Sequence, residues 1–149
     1  MQTLKVTVEL AFAWWNTPVD YSITLDNLCL ERKQYNGKLL TVVRPTFVIP
    51  VTEGWHELSV RLEDKTESDM YRIPETGAII RDKYIDVKRI YINNLGFPQK
   101  DLIRLDGMYY RDSDPINPIR STFIGDKGTF KFKFKTPFEY WALQTLVTE

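Results

Sequence analysis

The segment Thr129-Phe130-Lys131-Phe132-Lys133-Phe134-Lys135 alternates aromatic ring and ammonium group without a break. Successive side chains of a strand point to opposite faces, so all three rings fall on one side; a helix would scatter them around its circumference. A chain with this stretch must build a sheet with one buried face. The same period recurs upstream. Val6, Val8, Leu10 and Phe12 alternate with Lys5, Thr7 and Glu9; Tyr21, Ile23 and Leu25 with Asp20, Ser22, Thr24 and Asp26; Leu58, Val60 and Leu62 with Glu57, Ser59 and Arg61. Each pattern reads as a strand with one buried face. Ile85, Val87, Ile90 and Ile92 do not share one parity, which predicts a strand buried on both sides or carrying a bulge.

Turn residues punctuate these runs. Asn36-Gly37 predicts a hairpin between residues 28–33 and 39–44. Glu53-Gly54 precedes a strand over 55–63. Gly125-Asp126-Lys127-Gly128 is expected to turn residues 121–124 into the phenylalanine strand, and Thr136-Pro137 separates that strand from a further one over 138–147. Residues 121–147 are therefore expected as a C-terminal hairpin, with 138–147 an edge strand; the Lys131, Lys133 and Lys135 face could guard it against unwanted pairing or serve as a basic contact strip. No helix of normal length is expected. Roughly eight to ten short strands predict an all-β fold, an antiparallel β-sandwich that is jelly-roll-like. The length, 149 residues, supports one domain over 1–149 with a proper core. Two turn-rich stretches, 64–83 and 97–120, are the expected binding loops on this scaffold.

Charge and motif content narrow the function. Lys and Arg number 20 against 20 Asp and Glu, so no basic surface is expected to neutralise phosphates, and nucleic acid is not an expected partner. No apolar run is long enough to span a membrane, so no membrane insertion is expected. The opening Met1-Gln2-Thr3-Leu4-Lys5 does not read as a secretory signal peptide, which leaves localisation open. A lone cysteine, Cys29, excludes an intrachain disulfide and reads as a small buried hydrophobe; a lone histidine, His56, reads as a half-buried strand residue. There is no GxSxG elbow, P-loop, GxGxxG or HExxH, so the chain is not expected to be an enzyme.

Two groups could carry binding. Glu63, Asp64, Glu67 and Asp69, with Asp82 and Asp86 downstream, supply the hard oxygens that calcium takes from a wrapping loop. The competing reading is a solvated polar turn. Asp112-Ser113-Asp114-Pro115-Ile116-Asn117, with Asp106-Gly107 before it, could hold a cation by the same logic, but reads rather as a turn whose side chains bond their own backbone. The second group is aromatic. Neighbours on a strand face opposite ways, so Trp14-Trp15 and Tyr109-Tyr110 each place one ring outside the core unless the strand has ended. With Tyr71 and Tyr84 they could stack on a sugar ring. The competing reading is that they plug the ends of the sandwich. Trp55 and Trp141 are expected in the core.

Three segments in order carry a resemblance: Pro-Val-Asp-Tyr-Ser-Ile-Thr-Leu-Asp-Asn over 18–27, Glu-Gly-Trp-His-Glu-Leu-Ser-Val-Arg-Leu-Glu-Asp over 53–64, and Tyr-Ile-Asp-Val-Lys-Arg-Ile-Tyr-Ile-Asn-Asn-Leu-Gly over 84–96. Together they resemble the small calcium-dependent carbohydrate-binding modules of the xylan-binding type, over residues 6–97. That resemblance implies a jelly-roll sandwich, a non-catalytic role, a glycan or polysaccharide partner, and calcium held by Glu63, Asp64, Asp69, Asp82 and Asp86. Relative to the family, residues 70–83 look like an insertion. Modules of this kind also look like accessory proteins of phage particles, which leave the cell by lysis. The leading expectation is thus a non-catalytic, calcium-assisted glycan-binding module, with Trp14, Trp15, Tyr71, Tyr109 and Tyr110 contacting ligand. The alternative is a structural or assembly protein of a phage or other multi-subunit particle, forming a homo-oligomer or meeting other virion proteins through strand edges and aromatic contacts. A small glycan lyase or hydrolase is a third reading.

Overall fold

The computed structural model describes residues 1–147, with side chains described as far as Thr145. In chain order the elements are β1 (Gln2–Ala13), β2 (Val19–Leu25), β3 (Leu28–Tyr35), β4 (Val42–Val43), β5 (Thr46–Val51), β6 (Gly54–Leu62), β7 (Tyr71–Arg72) and β8 (Ile79–Arg81). There follow β9 (Tyr84–Ile92), β10 (Leu95–Pro98), α1 (Gln99–Arg104), β11 (Met108–Arg111), β12 (Asp114–Ile119), β13 (Phe123–Ile124), β14 (Gly128–Thr136) and α2 (Phe138–Val147).

The architecture is the expected antiparallel, jelly-roll-like β-sandwich. One sheet runs β10-β9-β1-β4, with β5 also on β1 and β13 on β9; the other runs β12-β11-β14-β6-β2-β3. The alternating runs bury the faces their period assigns. Phe130, Phe132 and Phe134 all have 0% exposure and pack with Val60 and Leu62 of β6, Val6 and Val8 of β1, and Ile85 and Val87 of β9 in one core. Each such ring contributes about 1.5–3 kcal/mol by leaving water. Phe12 bridges the sheets by meeting Tyr21 at 4.9 Å. The mixed parity of 85–92 resolves as a bulge: Glu9 pairs with Arg89 but Leu10 with Val87, so Lys88 is the extra residue.

Several expectations are corrected. Residues 121–147 do not form a hairpin. β13 pairs with β9 in the first sheet, β14 lies between β11 and β6 in the second, and 138–147 is the helix α2. Phe138 and Ala142 are buried and Trp141 half-buried, which is helical spacing of i, i+3 and i+4 rather than strand alternation. The Lys131, Lys133 and Lys135 face guards no edge strand at 138–147, and β14 is an interior strand. Asn36-Gly37 is not a hairpin turn either, because β3 and β4 belong to different sheets. Two tight hairpins lie instead at Asp26-Asn27 (φ 50° and 69°) and Asn93-Asn94 (φ 49° and 69°). Short Asp and Asn side chains tolerate this left-handed pair, which matches the twist of the flanking strands. Cys29 is exposed, not buried. Trp55 is not core but 62% exposed, and Trp141 sits on a helix. The stretches 64–83 and 97–120 are not irregular throughout; they carry the β7–β8 hairpin, α1, β11 and β12.

Candidate functional site

One end of the sandwich gathers most of the residues singled out by sequence. β1 stops at Ala13, and Asn16 turns the chain with φ 72° before β2 begins. Trp14 is half-buried and its indole N–H donates to the Gly37 carbonyl at 2.9 Å, tying the 36–41 crossover to this end. Trp15 is 37% exposed, and the Arg81 guanidinium lies 4.8 Å from its ring centre. Tyr71 is exposed on β7 directly across from Arg81 on β8. Arg81 also lines a cavity of about 390 Å³, walled by Trp14, Tyr84, Leu39, Leu40, Ile79 and Ile80, with Asp82 as its other charged member. Leu40 in that wall is held at φ 59°, a left-handed conformation costly for a branched side chain, by its N–H donating to the Phe12 carbonyl at 2.8 Å.

The carboxylates around this end are arranged differently from a calcium loop. Asp69, with 2% exposure, accepts the Thr17 hydroxyl at 2.5 Å and the Thr66 N–H at 2.9 Å, and lies 3.4 Å from the Lys83 ammonium. Lys83, with 1% exposure, also donates to the Thr17 hydroxyl oxygen at 2.6 Å. Burial pushes the Asp69 carboxyl up, but the Thr17, Thr66 and Lys83 donors together outweigh it and hold the group below the usual carboxylate range. Asp82 is paired with the buried Lys65 at 2.6 Å, and Lys65 also donates to the Gly125 carbonyl. Glu63 is gripped by Arg61 at 2.6 Å and Arg32 at 3.2 Å, and Arg61 goes on to meet both oxygens of Asp112 at 2.8 and 2.7 Å. The Arg61 hydrogen bonds hold the Asp112 carboxyl low against a smaller opposing effect of burial. Asp86 sits on β9, bonded to Gln99 at 2.7 Å and Lys88 at 2.9 Å; Asp64 is exposed. Among the described residues no three Asp, Glu, His or Cys side chains gather as a metal set. The chain's own ammonium and guanidinium groups stand where a cation would sit, so the residues present do not fit a calcium ion in this arrangement.

The second tyrosine pair is split by its strand. Tyr109 is buried, and its hydroxyl donates to the Asp126 carbonyl at 2.7 Å and accepts the Asp126 N–H at 2.9 Å. Burial pushes its phenol up. Tyr110 faces outward, with the Lys131 ammonium 5.1 Å from its ring centre. Neither lines the Trp14 cavity. Sequence reasoning missed Lys65, Lys83 and Arg81, whose partners lie far along the chain. It also missed Trp55, although the alternation of Leu58, Val60 and Leu62 already puts Trp55 on the opposite, outer face.

No protein-family model and no curated protein matches the chain. Two solved structures do. "vCBM60 in complex with galactobiose" superposes with a TM-score of 0.52 at 11% identity, covering 86% of this chain and 96% of its own. The selenomethionine form of vCBM60, described with two circularly permuted families of calcium-dependent carbohydrate binding modules, gives a TM-score of 0.50 at 11% identity, covering 87% and 89%. At such identity the likeness establishes one thing: the chain has the β-sandwich fold of a carbohydrate-binding module.

Proposed function

We propose that the protein is a non-catalytic glycan-binding module that takes its ligand at the Trp14–Trp15 end of the sandwich. The observation that carries this reading is the cavity of about 390 Å³ in which aromatic and aliphatic walls meet Arg81 and Asp82. Ligand sites are concave and mostly apolar, with a few placed polar groups that fix orientation. A pyranose offers an apolar C–H face to an indole and hydroxyls to a carboxylate or guanidinium. Trp15 and Tyr71 do not line the cavity but both neighbour Arg81, which does, and would supply further ring surface beside it. The fold shared with vCBM60, a module solved with galactobiose, supports the saccharide class. Calcium has no part in the ligand contact proposed here, because Lys65 and Lys83 already neutralise Asp82 and Asp69.

The test is calorimetry against a polysaccharide panel that includes galactans and xylans, with and without EDTA. Binding to at least one glycan is expected, with affinity falling roughly tenfold (about 1.4 kcal/mol) in Trp15→Ala and in Arg81→Ala while the unfolding temperature holds. A panel without any binder, or affinity unmoved by both substitutions, overturns the reading.

A further inference from the structure

The outer face of the second sheet carries a separate feature. Trp55 stands there with 62% of its surface exposed, opposite Lys135 on β14, whose ammonium lies 5.9 Å from the indole centre. Beside the ring is a cavity of about 500 Å³ lined by Asp26, Trp55, His56, Glu57 and Lys133. It shares no lining residue with the cavity at the Trp14 end.

The charges around this groove are unequally matched. Asp26 is engaged by the buried His56 ring at 2.5 Å and by the Glu57 N–H at 2.8 Å. His56 is fixed from behind by the Thr52 carbonyl at 2.7 Å from Nε2. Glu57 has Lys131 at 3.7 Å. Lys133 and Lys135, in contrast, form no ion pair with any described carboxylate. Each acid of the groove thus has a partner within the protein, while Lys133 and Lys135 stand along β14 beside the exposed ring with none among the described carboxylates.

We propose that this groove binds a saccharide that bears a carboxylate, a uronic-acid residue, stacked on Trp55 with its carboxylate against Lys133 and Lys135. The indole meets the sugar's C–H face; the two ammonium groups meet an anion that a neutral sugar lacks; the Asp26 and Glu57 oxygens accept sugar hydroxyls. A single-stranded nucleic acid is also flat and anionic. It is disfavoured because its phosphates need a continuous basic track, whereas here two carboxylates border the ring and the chain carries no net charge. The proposal stands apart from the reading of the Trp14 end.

The experiment titrates the full chain with oligogalacturonate, alginate oligomers and glucuronoxylan, with a neutral galacto-oligosaccharide and oligo-dT as comparison arms. The readouts are tryptophan fluorescence and calorimetry at low and high salt. At least one uronate ligand is expected to bind, more weakly at high salt. Its affinity should fall about tenfold or more in Trp55→Ala and severalfold in Lys133→Met, and stay unchanged in Trp15→Ala. Lys133→Met is exposed enough to leave the fold intact, so it remains decisive should Trp55→Ala unfold, which circular dichroism reads. No uronate binding, equal binding of the neutral sugar, or stronger binding of oligo-dT overturns the proposal. Loss in Trp15→Ala with none in Trp55→Ala also overturns it, while leaving the Trp14 end as a binding site.

Discussion

The Trp14 end and the Trp55 face use lysine in opposite ways. At the Trp14 end, Lys65 and Lys83 are buried and each is consumed by an aspartate of the same chain. On the Trp55 face, Lys133 and Lys135 are solvent-facing and their ammonium groups have no carboxylate partner among the described residues. Both regions hold aromatic rings and mixed charges, and composition cannot tell them apart. The difference teaches that folding, not composition, decides which charges are paired inside the chain and which are left facing solvent.

The sharpest way to break this comparison is to remove one lysine from each region. Lys83→Met leaves the Asp69 carboxylate buried without its cation, and is expected to cost about 3–5 kcal/mol, read as a drop of roughly 10 °C in unfolding temperature. Lys133→Met is expected to change stability by less than about 0.5 kcal/mol. Equal effects would erase the distinction.

Acid should act unevenly too. Asp69 and Asp112 titrate below their ordinary value of 3.8 in the folded chain. Groups with a depressed folded value contribute stability that is present above the unfolded value and lost as pH falls through the folded one. The unfolding temperature is therefore expected to hold above pH 4 and fall below it. Asp112→Asn should flatten that fall; an unchanged acid limb would show that the Arg61–Asp112 contact carries none of it.

A smaller expected effect sharpens the same contrast. Calcium at millimolar concentration, or EDTA, is expected to leave the unfolding temperature within about 1 °C, since a ligand that binds only the native state would raise it by mass action. A rise with calcium that disappears in Asp69→Asn would mean that the metal displaces Lys83. Smallest of all, Tyr110→Phe, which keeps the ring beside Lys131, is expected to alter neither stability nor glycan affinity measurably.

The sandwich itself was legible because a period of two is a local property. The Phe130, Phe132 and Phe134 run names its face from sequence alone, and the parity conflict at 85–92 left a doubly buried strand or a bulge open, of which the fold takes the bulge, at Lys88. The helix α2 stands where the sequence predicts a strand: Phe138, Trp141 and Ala142 have helical spacing, but a proline-led aromatic segment after a strong strand carries the same composition as more strand. Asn36-Gly37 misled because it marks a crossover between sheets, which is a choice of partner and not of turn.

The site was legible only in part. Trp14, Trp15, Tyr71 and Asp82 meet at one end because β1, β7 and β8 deliver them there. Arg81, which joins them, carries no signal without its partner. The sequence by itself determined which side of each strand is buried, because hydrophobic burial acts on neighbours two residues apart. Only the tertiary structure decided which cation answers which carboxylate, because Asp69 with Lys83 and Glu63 with Arg32 are pairings made across the fold, where distance in space and not along the chain sets the energy.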